Sequence, residues 1–243
     1  MLHIPKEKVL ALIPARGGSK GLPRKNVLEA GGRPLIAWTI AASQSSQLVG
    51  ETILSSDDDE IMATAQAWGC SVPFRRPAEL ASDTAATMDV VFHALDHFPQ
   101  CEYLVLLQPT SPMRNAADID LAFALMLESN APACVSVCEV DQSPYWMYRL
   151  EDNARLSSIL PAPEGATRRQ DLPPVFTLNG AIYIARIDWL RRTRNFVSPE
   201  TVGYRMPRER SIDIDTAQDF EAFRNIVEGK QAGRVASDLT QQQ

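Results

Sequence analysis

One short passage near the start of the chain limits its fold more than any other. Val9-Leu10-Ala11-Leu12-Ile13 is a continuous apolar run, the pattern of a strand covered on both faces. The glycine-rich, basic stretch Ala15-Arg16-Gly17-Gly18-Ser19-Lys20-Gly21-Leu22-Pro23-Arg24-Lys25-Asn26 follows at once, and Pro34 to Ser43 then reads as a helix. A buried strand that feeds a helix through a loop is the repeating unit of an α/β sheet.

The same rhythm continues downstream. Further strands are expected at Glu51–Ser55, Val72–Phe74, Tyr103–Leu107 and Ala133–Cys138, and helices at Asp57–Trp68, Thr84–Phe98 and Ala116–Glu128. Strands alternating with helices predict a parallel sheet with helices on both faces. Ligands in such sheets bind outside the carboxyl ends of the strands. The loops at 14–26, 55–58 and 108–115 should therefore gather on one edge. After about residue 140 the rhythm breaks, and residues 141–173 read as an excursion from the sheet. Regular structure resumes with a strand at Val175–Ile184, a helix at Ile187–Arg192, a short strand at Ser211–Asp215 and a helix at Thr216–Val227. Residues 1–228 are expected to form one domain, with a polar tail at 229–243 that frays.

The 243 residues are enough for a full core without disulfides. A net charge of −6 disfavours nucleic acid and membrane surfaces as partners, so an anionic small molecule would need a local basic site. The four cysteines, Cys70, Cys101, Cys134 and Cys138, match no zinc spacing. Reduced thiols and a cytoplasmic setting are the expectation. The N-terminal apolar run lacks the features of a signal peptide, and no stretch has the apolar length of a membrane span.

Several motifs carry possible chemistry. In the N-terminal loop, glycines allow close backbone approach to a phosphate, and Arg16, Lys20, Arg24 and Lys25 supply positive charge. The spacing is neither a Walker A loop nor GxGxxG. A solvated basic turn is the alternative, but the place between buried strand and helix favours phosphate. In Ser211-Ile212-Asp213-Ile214-Asp215, alternation puts both carboxylates on one face, a donor set suited to Mg²⁺. Asp215 could instead cap the last helix, with Gln218 completing a capping box. Gln108-Pro109-Thr110-Ser111-Pro112 places an amide and hydroxyls at a strand end, where they could read a base or sugar or simply stiffen the connection. Asn179-Gly180 reads either as a bulge or turn, or as an amide aimed at a ligand. Arg168-Arg169-Gln170-Asp171 reads as a solvated loop, and Ser82, Asp83 or Thr84 as a helix start.

Together these segments resemble the acylneuraminate cytidylyltransferase (CMP-sialic acid synthetase) family. The resemblance is carried by Ile13 to Asn26, Arg76-Pro77-Ala78-Glu79-Leu80-Ala81, Leu107-Gln108-Pro109-Thr110-Ser111-Pro112, Asn179-Gly180-Ala181-Ile182-Tyr183 and Ser211 to Asp215, in that order. It implies a Rossmann-like three-layer nucleotidyltransferase fold of the nucleotide-diphospho-sugar transferase type. It also implies a homodimer in which the 141–173 excursion completes the partner's sugar pocket. The implied reaction joins CTP to a nonulosonic, sialic-acid-like sugar acid with Mg²⁺, giving a CMP-sugar and pyrophosphate. The resemblance makes Arg16 and Lys25 triphosphate ligands, with Ala15, Gly17, Ser19 and Asn26 beside them, and Arg76 and Thr87 contacts of cytosine and ribose. Gln108, Asn179 and Tyr183 would meet the sugar, Arg169 its carboxylate across the dimer, and Asp213 and Asp215 the Mg²⁺. Asp215 is also a candidate base.

One segment departs from the common pattern. Sialic acid synthetases commonly carry a basic residue where this chain has Ser143-Pro144-Tyr145-Trp146-Met147. The apolar wall at Trp146 resembles the branch that activates legionaminic or pseudaminic acid, sugars with methyl and acetamido groups. A cytidylyltransferase for another sugar acid such as Kdo is the nearest rival, although its first loop reads differently. A non-catalytic nucleotide sensor is a second rival, which the intact Asp213/Asp215 pair disfavours.

Overall fold

The computed structural model describes residues 4–161, 163, 165 and 168–240, apart from the side chains of Arg169 and residues 230–240. Strand β1 (Val9–Pro14) sends its side chains alternately into two cores. Val9, Ala11 and Ile13 face one cluster, and Leu10 and Leu12 the other. Full burial on both faces follows from that division, as the unbroken apolar run predicts.

A two-residue hairpin, β2 (Glu29–Ala30) and β3 (Arg33–Pro34), precedes α1 (Leu35–Gln44). Then come β4 (Glu51–Ser55), α2 (Asp59–Ala67), α3 (Thr87–Leu95), β5 (Tyr103–Leu106), α4 (Ala116–Glu128) and β6 (Ala133–Glu139). The excursion carries the hairpin β7 (Tyr148–Leu150) and β8 (Leu156–Ser158). Finally β9 (Phe176–Arg186), α5 (Ile187–Thr193), β10 (Val202–Arg205) and α6 (Ala217–Thr240) complete the chain.

Six strands form the main sheet in the order β10-β6-β9-β5-β1-β4. The first core packs α1, α2 and α4 on one face through Ile36, Ile40, Ile61, Ile119, Phe123 and Met126. The second packs α3 and α5 on the other face through Val91, Leu95, Trp189 and Leu190. This gives the expected three layers. A third cluster seats α6 on α1 through Leu35, Ile214, Phe220, Phe223 and Val227. A reciprocal capping box starts α4: Asn115 accepts from the Asp118 amide, and Asp118 accepts from the Asn115 amide. Such a cap is worth about 1 kcal/mol.

Several expectations need correction. The sheet is not wholly parallel, because β9 runs antiparallel between β5 and β6. Val72–Phe74 is no strand. The only ladder contact there is the Ile53–Ser71 bridge, and Phe74 instead stacks on His97 beside His93. Ser211–Asp215 has no regular secondary structure and no strand partner among the described residues, and it bonds to the sheet region through Ile214 N–H to Thr110 O at 2.8 Å. The edge strand β10 has no counterpart among the expected elements. Helix α6 runs to Thr240, past the expected end at Val227.

Candidate active site

The carboxyl ends of β5, β1 and β4 lie side by side, and the loops leaving them enclose a cleft of about 510 Å³. Pairing to β4 extends one residue beyond β1, through Ala15 N–H to Ser55 O at 3.0 Å. The backbone then turns over the N-terminus of α2. The Gly17 amide donates to Asp57 Oδ1 at 3.0 Å. A Cβ at Gly17 would lie 2.7 Å from Asp58 Oδ2, so any side chain there would push Asp58 from its place. Asp58 in turn accepts from the Ile61 amide and caps α2. At Gly21 a Cβ would meet the Asp215 carbonyl oxygen at 2.3 Å, so the loop lies directly against the 211–215 segment.

The basic side chains of the loop divide in two. Arg24, in the left-handed backbone region at φ 58°, pairs with Asp58 and Glu60 and does not line the cleft. Arg16, Lys20 and Lys25 do line it. Lys25 is buried and donates to the Ile214 carbonyl at 2.6 Å and to Asp215 Oδ1 at 3.1 Å. Arg16 and Lys20 converge on Asp83 at 2.9 and 2.7 Å, and Arg16 also donates to the Ser82 carbonyl. The Lys20 hydrogen bond, with the charges of Lys20 and Arg16, holds the Asp83 carboxyl below its usual range. Asn26 donates to the Arg16 carbonyl and closes the loop.

On the opposite wall Arg76 is buried, and its guanidinium binds the Ser55 hydroxyl and carbonyl. Burial lowers its pKa to about 10, with Asp57 opposing that shift. Thr87 begins α3 and faces the same space. Gln108, Pro109 and Thr110 form the floor after β5. Thus Ala15, Arg16, Ser19, Lys25, Asn26, Arg76, Thr87, Gln108 and Asp215 all meet at one cleft, and Gly17 supports it from beneath.

The carboxylates that end this arrangement are better defined than the sequence allowed. Helix α6 is capped by Thr216, whose hydroxyl accepts from the Asp219 amide while Asp219 accepts from the Thr216 amide. Asp215 is therefore not the cap, and Gln218 completes no capping box with it. Asp215 is 73% exposed in its side chain and faces the cleft. Asp213 has its carboxyl raised, first by desolvation and also by the neighbouring Asp215 charge, and a hydrogen bond with Thr110 opposes this. Two mutually repelling carboxylates beside a hydroxyl form a hard oxygen donor set. Among the described residues no group of three or more His, Cys, Asp or Glu side chains is arranged to hold a metal ion by itself. Mg²⁺ takes one or two carboxylates and leaves its other positions to water and substrate phosphate.

The residues expected to touch a sugar are more scattered. Asn179 does not aim its amide at the cleft. Its Oδ1 accepts from Ser136 Oγ at 2.6 Å and from the Ala181 amide, while its Nδ2 donates to Ser211 Oγ at 2.9 Å. The Asn179-Gly180 interruption is a β-bulge with Gly180 at φ +74°, one of the two local alternatives. Tyr183 packs on Phe196, and burial raises its hydroxyl pKa, with Asp213 adding to the rise. Trp146 closes a 3-10 turn started by Ser143 and is 39% exposed. A second cavity of about 480 Å³ lies at the foot of the excursion, between Ser143, Gln170 and Leu172. Arg169 begins the turn Arg169–Asp171, and its side chain lies outside the described residues.

The profile of the cytidylyltransferase family matches residues 10–198. The chain belongs to this family. It is 37% identical, over 88% of its length, to the N-acylneuraminate cytidylyltransferase of Streptococcus agalactiae serotype V, of which it covers 52%. It thus spans about half the length of that relative. It is 34% identical to the CMP-N,N'-diacetyllegionaminic acid synthase of Legionella pneumophila, covering 94% of this chain and 100% of that one. Against the pseudaminic acid cytidylyltransferase of Campylobacter jejuni it is 31% identical, over 88% of this chain and 94% of that one. The solved structure of CMP:2-keto-3-deoxy-manno-octonic acid synthetase complexed with CTP shares the fold, with a TM-score of 0.68, 18% identity and coverage of 92% and 99%.

Four residues that shape this family member's cleft do not stand out in the sequence as site residues. Asp57 and Asp58 sit in the 55–58 loop expected at the site, but there they read only as the start of a helix. Asp83 likewise reads as a helix cap. Thr110 lies inside a motif whose amide is the more obvious ligand group.

Proposed function

We propose that this chain transfers CMP from CTP to the anomeric hydroxyl of a nonulosonic sugar acid, releasing pyrophosphate. The observation that carries this reading is the convergence of Arg16, Lys20 and Lys25 from one glycine loop onto a cleft that also holds Arg76, Gln108 and Asp215. Positioning and charge neutralisation supply most of the rate in phosphoryl transfer. Arg16, Lys20 and Lys25 bind the triphosphate and stabilise the departing pyrophosphate. Arg76 and Thr87 hold the nucleoside side, and Gln108 faces the incoming sugar.

Asp213 and Asp215 would hold Mg²⁺, which when bound neutralises charge on the phosphate oxygens. Asp215 is also the exposed carboxylate of the cleft and the candidate acceptor of the anomeric proton. A metal-bound carboxylate is a weak base, so one role weakens the other.

The relatives named for N-acylneuraminate, legionaminic and pseudaminic acid narrow the acceptor to sugars of that kind. The apolar face of Trp146 favours a methyl-bearing member, legionaminic or pseudaminic acid. A homodimer completes the site. The excursion exposes Trp146, Met147, Tyr148, Leu150, Leu156 and Ile159, an apolar surface that a second subunit would cover. The four free thiols suit a cytoplasmic setting, and among the described residues no helix is long and apolar enough to cross a membrane. Pyrophosphate release should be measured with CTP and a panel of sialic, legionaminic, pseudaminic and Kdo acids. Release is expected with a nonulosonic acid, and none with any sugar acid would defeat the proposal.

A further inference from the structure

The 211–215 segment places Asp215 in the cleft and the Ile214 carbonyl on Lys25, with Asp213 beside Thr110, yet it belongs to no sheet. Apart from the Ile214–Thr110 backbone bond, side-chain contacts hold it in place. At its entry stands Arg210, which grips a carboxylate far away in sequence: Nε donates to Asp118 Oδ2 at 3.0 Å and Nη2 to Asp118 Oδ1 at 2.7 Å. Asp118 is 1% exposed and takes two further donors, the Asn115 amide at 3.0 Å and the Tyr204 hydroxyl at 3.1 Å. Each carboxylate oxygen thus accepts two hydrogen bonds.

Capping α4 uses only one of those four bonds. The other three reach β10 and the turn ahead of the acid pair. A buried carboxylate is costly unless it is fully paired, so a neutral acceptor would cap the helix more cheaply. The charge serves Arg210, because a bidentate guanidinium–carboxylate pair fixes orientation as well as distance. Its effect passes down the chain: Asn179 anchors Ser211, Thr110 takes the Ile214 amide, and Lys25 takes the Ile214 carbonyl and Asp215. The completely buried guanidinium of Arg114, lowered to about 9 by burial with Asp118 opposing, ties the same helix start to the carbonyls of Gln108 and Ala181.

We propose that Asp118 is a positioning residue of the active site, acting through Arg210 to hold the 211–215 segment against Lys25 and the phosphate loop. This rests on the reading of Asp213 and Asp215 as working parts of the cleft.

Asp118→Asn keeps an acceptor for the Asn115 amide and removes the charge that Arg210 needs. Arg210→Gln and Arg210→Lys test the same link from a half-exposed side chain, where folding is safe even if Asp118→Asn fails to fold. Hydrogen–deuterium exchange on the full chain should show amides 211–216 exchanging about tenfold faster in Arg210→Gln, with β1 unchanged. Turnover should fall about tenfold or more, with the KM for CTP changed far less, and Mn²⁺ binding in the presence of CTP, read by electron paramagnetic resonance, should weaken by a similar factor. Arg210→Lys should lie between, since lysine keeps the charge but not the fork. Unchanged exchange at 211–216 in Arg210→Gln would overturn the proposal. Exchange needs no substrate, so it tests the link even if the parent enzyme releases no pyrophosphate with any sugar acid.

Discussion

The phosphate-loop cleft and the 141–173 excursion are built on opposite terms. In the cleft, charged groups are already engaged within the chain: Arg16 and Lys20 with Asp83, Lys25 with Asp215, and Arg76 with Ser55. In the excursion, apolar groups stand open, with Leu150 72% and Leu156 65% exposed on a two-stranded hairpin. A two-stranded ribbon cannot bury its own face. The contrast teaches where each half of the site comes from. On the proposed reading, charge stabilisation is preorganised inside one chain, while part of the sugar recognition would fall to a surface that a second subunit covers.

The comparison can be broken most forcefully at the acids. Asp213→Asn with Asp215→Asn should cost on the order of 10³-fold in kcat while the protein keeps its fold, measured as pyrophosphate release beside thermal unfolding. Near-normal turnover would remove the acid pair from the chemistry. At the excursion, Leu150→Asp with Leu156→Asp should weaken self-association about 30-fold or more, read by sedimentation, and leave CTP binding intact. Loss of CTP binding in the monomer would erase the division between the halves. Trp146→Lys should shift preference toward N-acylneuraminate relative to methyl-bearing acids by about tenfold, measured as the ratio of kcat/KM values. The smallest effect is expected at Asp83→Asn. Asp83 occupies the cations that triphosphate needs, so removing its charge should lower the KM for CTP about two- to fivefold, most at low salt.

The two halves also differ in how well their sequence can be read. The cleft is legible because its determinants are local. A run of apolar residues, a glycine loop and a helix with its own cap each announce themselves, and α4 falls at the expected Ala116–Glu128. What escapes the sequence is non-local. The sequence reads as a strand over Val175–Ile184, but a strand-like run carries no direction, so the antiparallel course of β9 between β5 and β6 is invisible there. Ser211 to Asp215 alternates like a strand because Ile214 is buried and its neighbours are not, yet no strand pairs with it. Asn179 offers an amide in either setting, and only the positions of Ser136 and Ser211 decide that it serves the framework. In the excursion, Pro-rich sequence and exposed apolar residues leave no period to read.

The contact between Lys25 and Asp215 joins residues 190 positions apart. A ribosome adding about 5–20 residues per second needs roughly 10–40 s to go from one to the other. For most of that interval Arg16, Lys20 and Arg24 already have their acids, while Lys25 has no Asp215 to pair with. The Lys25–Asp215 contact therefore forms only after 190 further residues have been added, and a polypeptide cut short before the 211–215 segment would lack it.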